Sequence, residues 1–234
     1  MKLNVGVVII GSLYWDDQPH RRKWRNDRLQ MANAIGVKVP IRYGRKSRSR
    51  GNTYTMVFSR GCQLGEGKAV PCSHSVSCVE ELIEEAECLW AAEQPSEQSQ
   101  RQNALSANWG CVALLANPRV QKDLVGVLNG WGKRVALEKN YNRKQYDEPD
   151  GRSLMDEQAI LQIPWPNQTD TSIGLALDLV LATATKPEKD YPSARLIAQA
   201  WKDDRKGHVD YFWCNRKNGI RTFQDDEIEK YLRA

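Results

Sequence analysis

Hydrophobic and polar positions recur along this chain with two different periods, and the period separates strands from helices. Residues 5–10 are continuously apolar around Gly6, with valine and isoleucine dominating, which is the pattern of a strand buried on both faces. That run stops at Gly11-Ser12. Residues 37–43 alternate apolar and polar except at Pro40, so they predict a strand whose proline sits at an edge or a bulge. Residues 54–59 are β-branched and aromatic and follow a Gly51-Asn52 turn. Further strands are predicted at 67–71, at 109–117 and at 159–163, and the apolar run 174–185 predicts a buried strand in its β-branched second half.

The clearest helical period covers residues 78–92, where Val79, Leu82, Ile83, Ala86, Leu89 and Trp90 fall on one face. Ser77 is the expected N-cap with Glu80 in the capping-box position. Glu80, Glu81, Glu84, Glu85 and Glu87 occupy the other faces and read as solvated. A short helix or ordered loop is expected over 21–34 with Trp24, Leu29 and Met31 inward, and a helix over 119–131 through Leu124, Val127 and Trp131. Another is expected over 192–201 with Leu196, Ile197 and Ala200 inward. Residues 211–215 and 220–223 predict a hairpin around Asn218-Gly219, and residues 225–233 a closing amphipathic helix through Ile228. The polar stretch 94–107 reads as a linker or surface loop.

Composition adds bounds rather than a function. With 234 residues, 41% of them hydrophobic and 27% charged, the chain is long enough for one generous domain. No apolar run has the length of a membrane span, and the first strand begins almost at once, which predicts a cytoplasmic protein without a membrane partner. Six scattered cysteines in a chain of this size favour reduced thiols. The net charge of +5 is uneven: residues 20–25 and 42–50 are densely basic, and residues 80–97 are acidic. Basic stretches carrying Trp24 and Tyr43 suit either a nucleic-acid partner or solvated loops with anion-binding side chains.

The chain has no Gly-Lys-Ser/Thr phosphate loop, no Gly-x-Gly-x-x-Gly turn and no His-Glu-x-x-His helix. Cys72, His74 and Cys78 lack the spacing of a paired zinc framework, so no metal site is predicted. Cys72 or Cys111 paired with His20, His74 or His208 is a nucleophilic arrangement that only geometry can decide. Two features remain. Gly11-Ser12 is either a plain turn leaving a core strand or a loop whose backbone amides hold an anion. Glu93 either continues the inward helix face, where a low dielectric raises its pKa toward the range of proton transfer, or is an exposed residue beyond the helix end.

Together these two features resemble the γ-glutamyl cyclotransferase-like family. Its motif of Tyr-Gly-Ser followed by Leu or Asn after the first strand is matched by Gly11-Ser12-Leu13, and its glutamate after a helix end by Glu93 in Leu89-Trp90-Ala91-Ala92-Glu93. The resemblance covers residues 5–117, and Ile10 and Trp90 stand where the family has tyrosine and aspartate. It implies an α+β fold, a mixed β-barrel or strongly curved sheet with packed helices, in a single domain over 1–234. Residues 1–117 would form the family core and residues 118–234 a C-terminal elaboration. It further implies cyclisation of a small-molecule γ-glutamyl amine or amide to 5-oxoproline without a cofactor. Glu93 would be the general acid and base, and Gly11, Ser12, Leu13, Tyr14 and Arg45 would bind substrate. A non-catalytic module of the same fold, using its basic loops on an anionic partner such as nucleic acid, is the competing expectation.

Overall fold

Val5–Ile9 forms β1, buried at every residue, and lies in the interior of an eight-stranded sheet. The computed structural model describes residues 2–94, 103–169, 176–188, 190–204 and 206–234; the polar stretch at 95–102 and the start of the apolar run at 174–175 fall outside these. On one side β1 pairs antiparallel with β4 (Leu64–Pro71), and on the other it runs parallel to β8 (Leu179–Thr185). Central placement explains the unbroken apolar run, since neither face of β1 meets water.

Outward from β4 come β2 (Ile35–Ser47) and then β3 (Thr53–Phe58). Beyond β8 come β6 (Gly110–Ala116) and the two-residue β5 (Ser106–Ala107), while β7 (Asn167–Gln168) pairs with β2. The long strand β2 changes its main partner along its length: residues 35–40 pair with β4 and residues 41–47 with β3, while β7 pairs at residues 37–38. Pro40 sits at the handover, where its carbonyl accepts the Ser59 amide at 3.0 Å and its missing N–H costs no ladder bond. A register shift between Tyr43 and Arg45 places a bulge at Gly44.

The α+β class is as expected, but the sheet is open. Among the described residues no ladder joins β3 to β5, and a two-residue edge strand offers too little backbone to close a barrel. Residues 118–234 contribute β8 to the sheet interior, between β1 and β6, so the sheet is incomplete without them.

Among the described residues six α-helices pack around the sheet: α1 (Pro19–Arg28), α2 (Val79–Glu93), α3 (Val125–Val135), α4 (Ala194–Lys202), α5 (Asp210–Lys217) and α6 (Asp225–Arg233). Along α2, Leu82, Ala86, Leu89 and Trp90 are buried as the period predicts. The helix starts one residue late, with Cys78 as N-cap, and the carboxylate that accepts from the Ser77 amide and hydroxyl, at 2.6 and 2.8 Å, is that of Glu81 instead of Glu80. Glu85 is not solvated. Only 3% exposed, it receives the Arg28 guanidinium of α1 through Nε at 3.2 Å and through a terminal nitrogen at 2.8 Å.

Three further expectations are corrected. Residues 211–215 are helical, in α5, because Tyr211, Phe212 and Asn215 are the positions that face inward, at helical spacing. Asn218-Gly219 ends that helix instead of turning a hairpin: Gly219 has φ of +66°, and Ile220 donates its amide back to Asn215. Leu196 is 58% exposed, while Ala194, Ile197, Ala198 and Trp201 form the buried face of α4. Residues 159–163 make only isolated bridges, since the Asp156 side chain draws the Gln158 and Ile160 amides into a turn. All six cysteines are free thiols, and among the described residues no helix is long and apolar enough to cross a membrane.

Candidate active site

The parallel neighbours β1 and β8 end side by side, and a cleft of about 940 Å³ opens at their carboxyl ends. From β1 the chain enters a single 3-10 turn, Ser12–Tyr14. The Gly11 carbonyl accepts from Tyr14, and the Ser12 carbonyl accepts from Trp15 and Asp16 at 3.1 and 2.7 Å. The amides of Gly11, Ser12 and Leu13 come before the first donor of this turn, Tyr14, so they have no partner within it. Gly11 is extended, with φ of −169°, so its conformation does not require glycine. Its neighbour does: a Cβ there would lie 2.7 Å from the Tyr211 hydroxyl.

Arg21 of α1 organises the floor. Its side chain is 9% exposed and reaches the Ser12 hydroxyl at 2.9 Å, the Asp16 carboxylate at 2.7 Å and the Ala92 carbonyl at 3.2 Å. The same guanidinium faces Glu93 at 3.5 Å, a looser ion pair than its contact with Asp16. Arg50 also donates to the Ser12 hydroxyl, at 2.8 Å, and lies 4.5 Å from the centre of the Tyr211 ring. Thus one serine oxygen receives two guanidinium groups. Charged donors of this kind give the stronger class of hydrogen bond.

Helix α2 extends through Glu93, so the carboxylate is not an exposed residue past the helix end. It is 17% exposed and lines the same cleft as Gly11, Ser12, Leu13 and Arg45. Among the described residues its nearest charged neighbour is the Arg21 guanidinium, where the inward reading expected only a low dielectric. Tyr14 is absent from the lining; it is half-buried, with its ring 5.8 Å from the Lys68 ammonium. The tight turn points its three successive side chains about 120° apart, so they do not all face one way.

Trp109, Lys186 and Tyr211 also line the cleft and carried no mark of a site in the sequence. Arg45 lies 5.5 Å from the Trp109 ring centre, and Trp109 stacks on Trp90 at 4.9 Å. Burial holds the Arg45 guanidinium and the Lys186 ammonium below their ordinary pKa values, and the charge of Arg45 lowers Lys186 further. His208 reaches the cleft with its Nδ1 2.9 Å from Asp204. The basic run 42–50 gave a signal for Arg48 and Arg50. Tyr211 lies two hundred positions from Gly11 and is brought to it only by the docking of α5, which no local pattern encodes.

The first basic stretch has a different use from the one its composition suggests. Arg21 and Arg25 are buried, and Arg25 donates to the Leu13 and Asp16 carbonyls, each at 2.8 Å, and to Asp17 at 3.0 Å. These arginines brace the loop after β1 from inside, and Trp24 is in the core. The cysteine candidates do not reach the cleft lining. Burial pushes the Cys111 thiol up to about 12, opposite to what a thiolate nucleophile needs.

Comparisons of this chain with protein-family models, with curated proteins and with solved structures found no match.

Proposed function

We propose that this protein is a γ-glutamyl cyclotransferase-like enzyme that converts a γ-glutamyl amine or amide to 5-oxoproline. The observation that carries the reading is the Arg21 guanidinium, which bonds Ser12 of the glycine turn and faces Glu93 at the same time. A carboxylate and an anion-holding turn, joined by one buried cation, form the two halves of a site for a zwitterionic substrate end.

In this reading the substrate α-carboxylate rests against the amides of Gly11 to Leu13, with Arg45 assisting. Glu93 takes a proton from the α-ammonium. The freed amine attacks its own γ-carbonyl carbon, a new C–N bond closes the five-membered lactam, and the bond to the original amine breaks. Glu93 then returns the proton to the departing nitrogen, so one carboxyl serves as base and then acid. On ring closure the attacking nitrogen sheds a second proton, which passes through the same carboxylate to the released amine; that amine leaves as an ammonium, and the reaction is redox-neutral.

The attacking group provides the test. A panel of γ-glutamyl amines should yield 5-oxoproline and free amine in equal amounts, measured by chromatography. The N-acetylated analogues, whose nitrogen cannot attack, should be inert. Release of the amine from acetylated substrates at a similar rate would mean hydrolysis and would contradict cyclisation.

A further inference from the structure

The charges in the cleft do not balance. Its acids, Asp16 and Glu93, both face Arg21. Arg45, Arg48, Arg50 and Lys186 also line it, and among the described residues none of them is in an ion pair. Glu188, whose charge is felt at Arg45, accepts the Lys46 amide at 2.8 Å. Arg45, Arg50 and Lys186 are partly removed from water, and unpaired cations so placed destabilise a fold unless something compensates them. That burial already lowers the pKa of Arg45 and Lys186 points the same way.

Two neutral donors add to the pattern. The hydroxyl oxygens of Thr183 and Thr185 are buried and have no hydrogen-bond partner, and both residues line the cleft from β8. A buried hydroxyl without a partner is destabilising, and a ligand oxygen in the cleft would complete it.

We propose that the cleft binds a ligand bearing a phosphoryl group, held by Arg45, Arg48 and Lys186 with the Thr183 and Thr185 hydroxyls as further donors. A carboxylate brings one charge and two oxygens, whereas a phosphoryl group brings a charge of about −1.5 to −2 and three acceptor oxygens, closer to what these cations need. Guanidinium forks suit its geometry. The volume of about 940 Å³ leaves room for it beside a γ-glutamyl end, being near the top of the roughly 300–1,000 Å³ range of small-molecule sites. A small molecule is favoured over nucleic acid because these cations line a cleft, while the buried arginines of the other basic stretch are used internally. The proposal rests on the cleft being the functional site and does not depend on cyclisation.

The test is calorimetric titration of the full chain with inorganic pyrophosphate at fixed ionic strength, with acetate and a short single-stranded oligonucleotide as comparisons. Pyrophosphate should bind with one-to-one stoichiometry and acetate far more weakly. Arg48→Glu, at an exposed position where folding is safe, and Lys186→Gln should each weaken pyrophosphate by at least about tenfold. Arg143→Gln, outside the cleft, should change nothing. Glu93→Gln should keep pyrophosphate binding, so a failure of cyclisation with this binding intact would leave the phosphoryl site standing. Equal binding of acetate, equal weakening by Arg143→Gln, or an oligonucleotide affinity that exceeds that of pyrophosphate and grows with length would overturn the proposal.

Discussion

Ser12 carries more of the cleft's order than its size suggests, because its hydroxyl oxygen accepts from both Arg21 and Arg50. The residue before it is constrained by space. At Gly11 the backbone would tolerate alanine, but the added Cβ would press on the buried Tyr211 hydroxyl at 2.7 Å, while the nearest ring carbon is 3.7 Å away. Gly11→Ala should therefore lower stability by about 1–3 kcal/mol in urea unfolding, the usual cost of overpacking. Adding Tyr211→Phe should restore most of the loss, since it removes the atom in conflict. A second residue-scale prediction concerns Asp225, whose carboxyl burial pushes up to about 6 while Thr222 bonds oppose the shift. A raised carboxylate pKa in the folded state means that the native protein binds this proton more tightly than the unfolded chain does. The stabilisation is complete below about pH 4 and is lost as pH rises through 6, by on the order of 2–3 kcal/mol. Denaturant midpoints across that window should fall for the wild type and vary less for Asp225→Asn.

At the scale of elements, two helices show how side chains assigned to solvent do structural work. The contact between α1 and α2 includes the Arg28–Glu85 pair, in which burial pushes the Glu85 carboxyl upward and Arg28 opposes it. Arg28→Ala should cost about 3–5 kcal/mol in unfolding free energy, because it strands a buried carboxylate. Arg28→Lys should recover only part, lacking the two-pronged contact. The apolar stripe of α2 was legible in the sequence because helical periodicity is local, whereas its continuation to Glu93 was one of two readings that the same rule left open, and the helix end decides it. Glu85 was not legible: a charged residue next to an apolar stripe reads as solvated until its partner, fifty-seven positions away, is known. The α5 segment misled for a related reason. Aromatic residues before Asn-Gly satisfy both a hairpin and a helix with a left-handed stop, and the burial of Phe212 and Asn215 decides between them.

Across the whole molecule, the strand that fills the sheet between β1 and β6 comes from the far half of the chain. A chain ending at Asn117 would leave the apolar strands Val5–Ile9 and Gly110–Ala116 without the ladder that joins them. It should show no cooperative unfolding transition and should aggregate, whereas the full chain unfolds as a unit; a folded, soluble fragment would show that β8 is dispensable. This long-range pairing also explains how much of the site could be read in advance. The glycine turn, Arg45 and Glu93 announced themselves locally, through a strand end, a basic run and a helical period. Lys186, Thr183 and Tyr211 reach the cleft only through the placement of β8 and α5. The cyclisation account depends on Glu93 above every other residue, and the substitution Glu93→Gln keeps its shape while removing its capacity to take a proton. On γ-glutamyl substrates the account predicts a fall in kcat of at least about a hundredfold, within the range for losing a general acid–base group, with KM and the unfolding midpoint nearly unchanged. A Glu93→Gln variant that forms 5-oxoproline at the wild-type rate would contradict it.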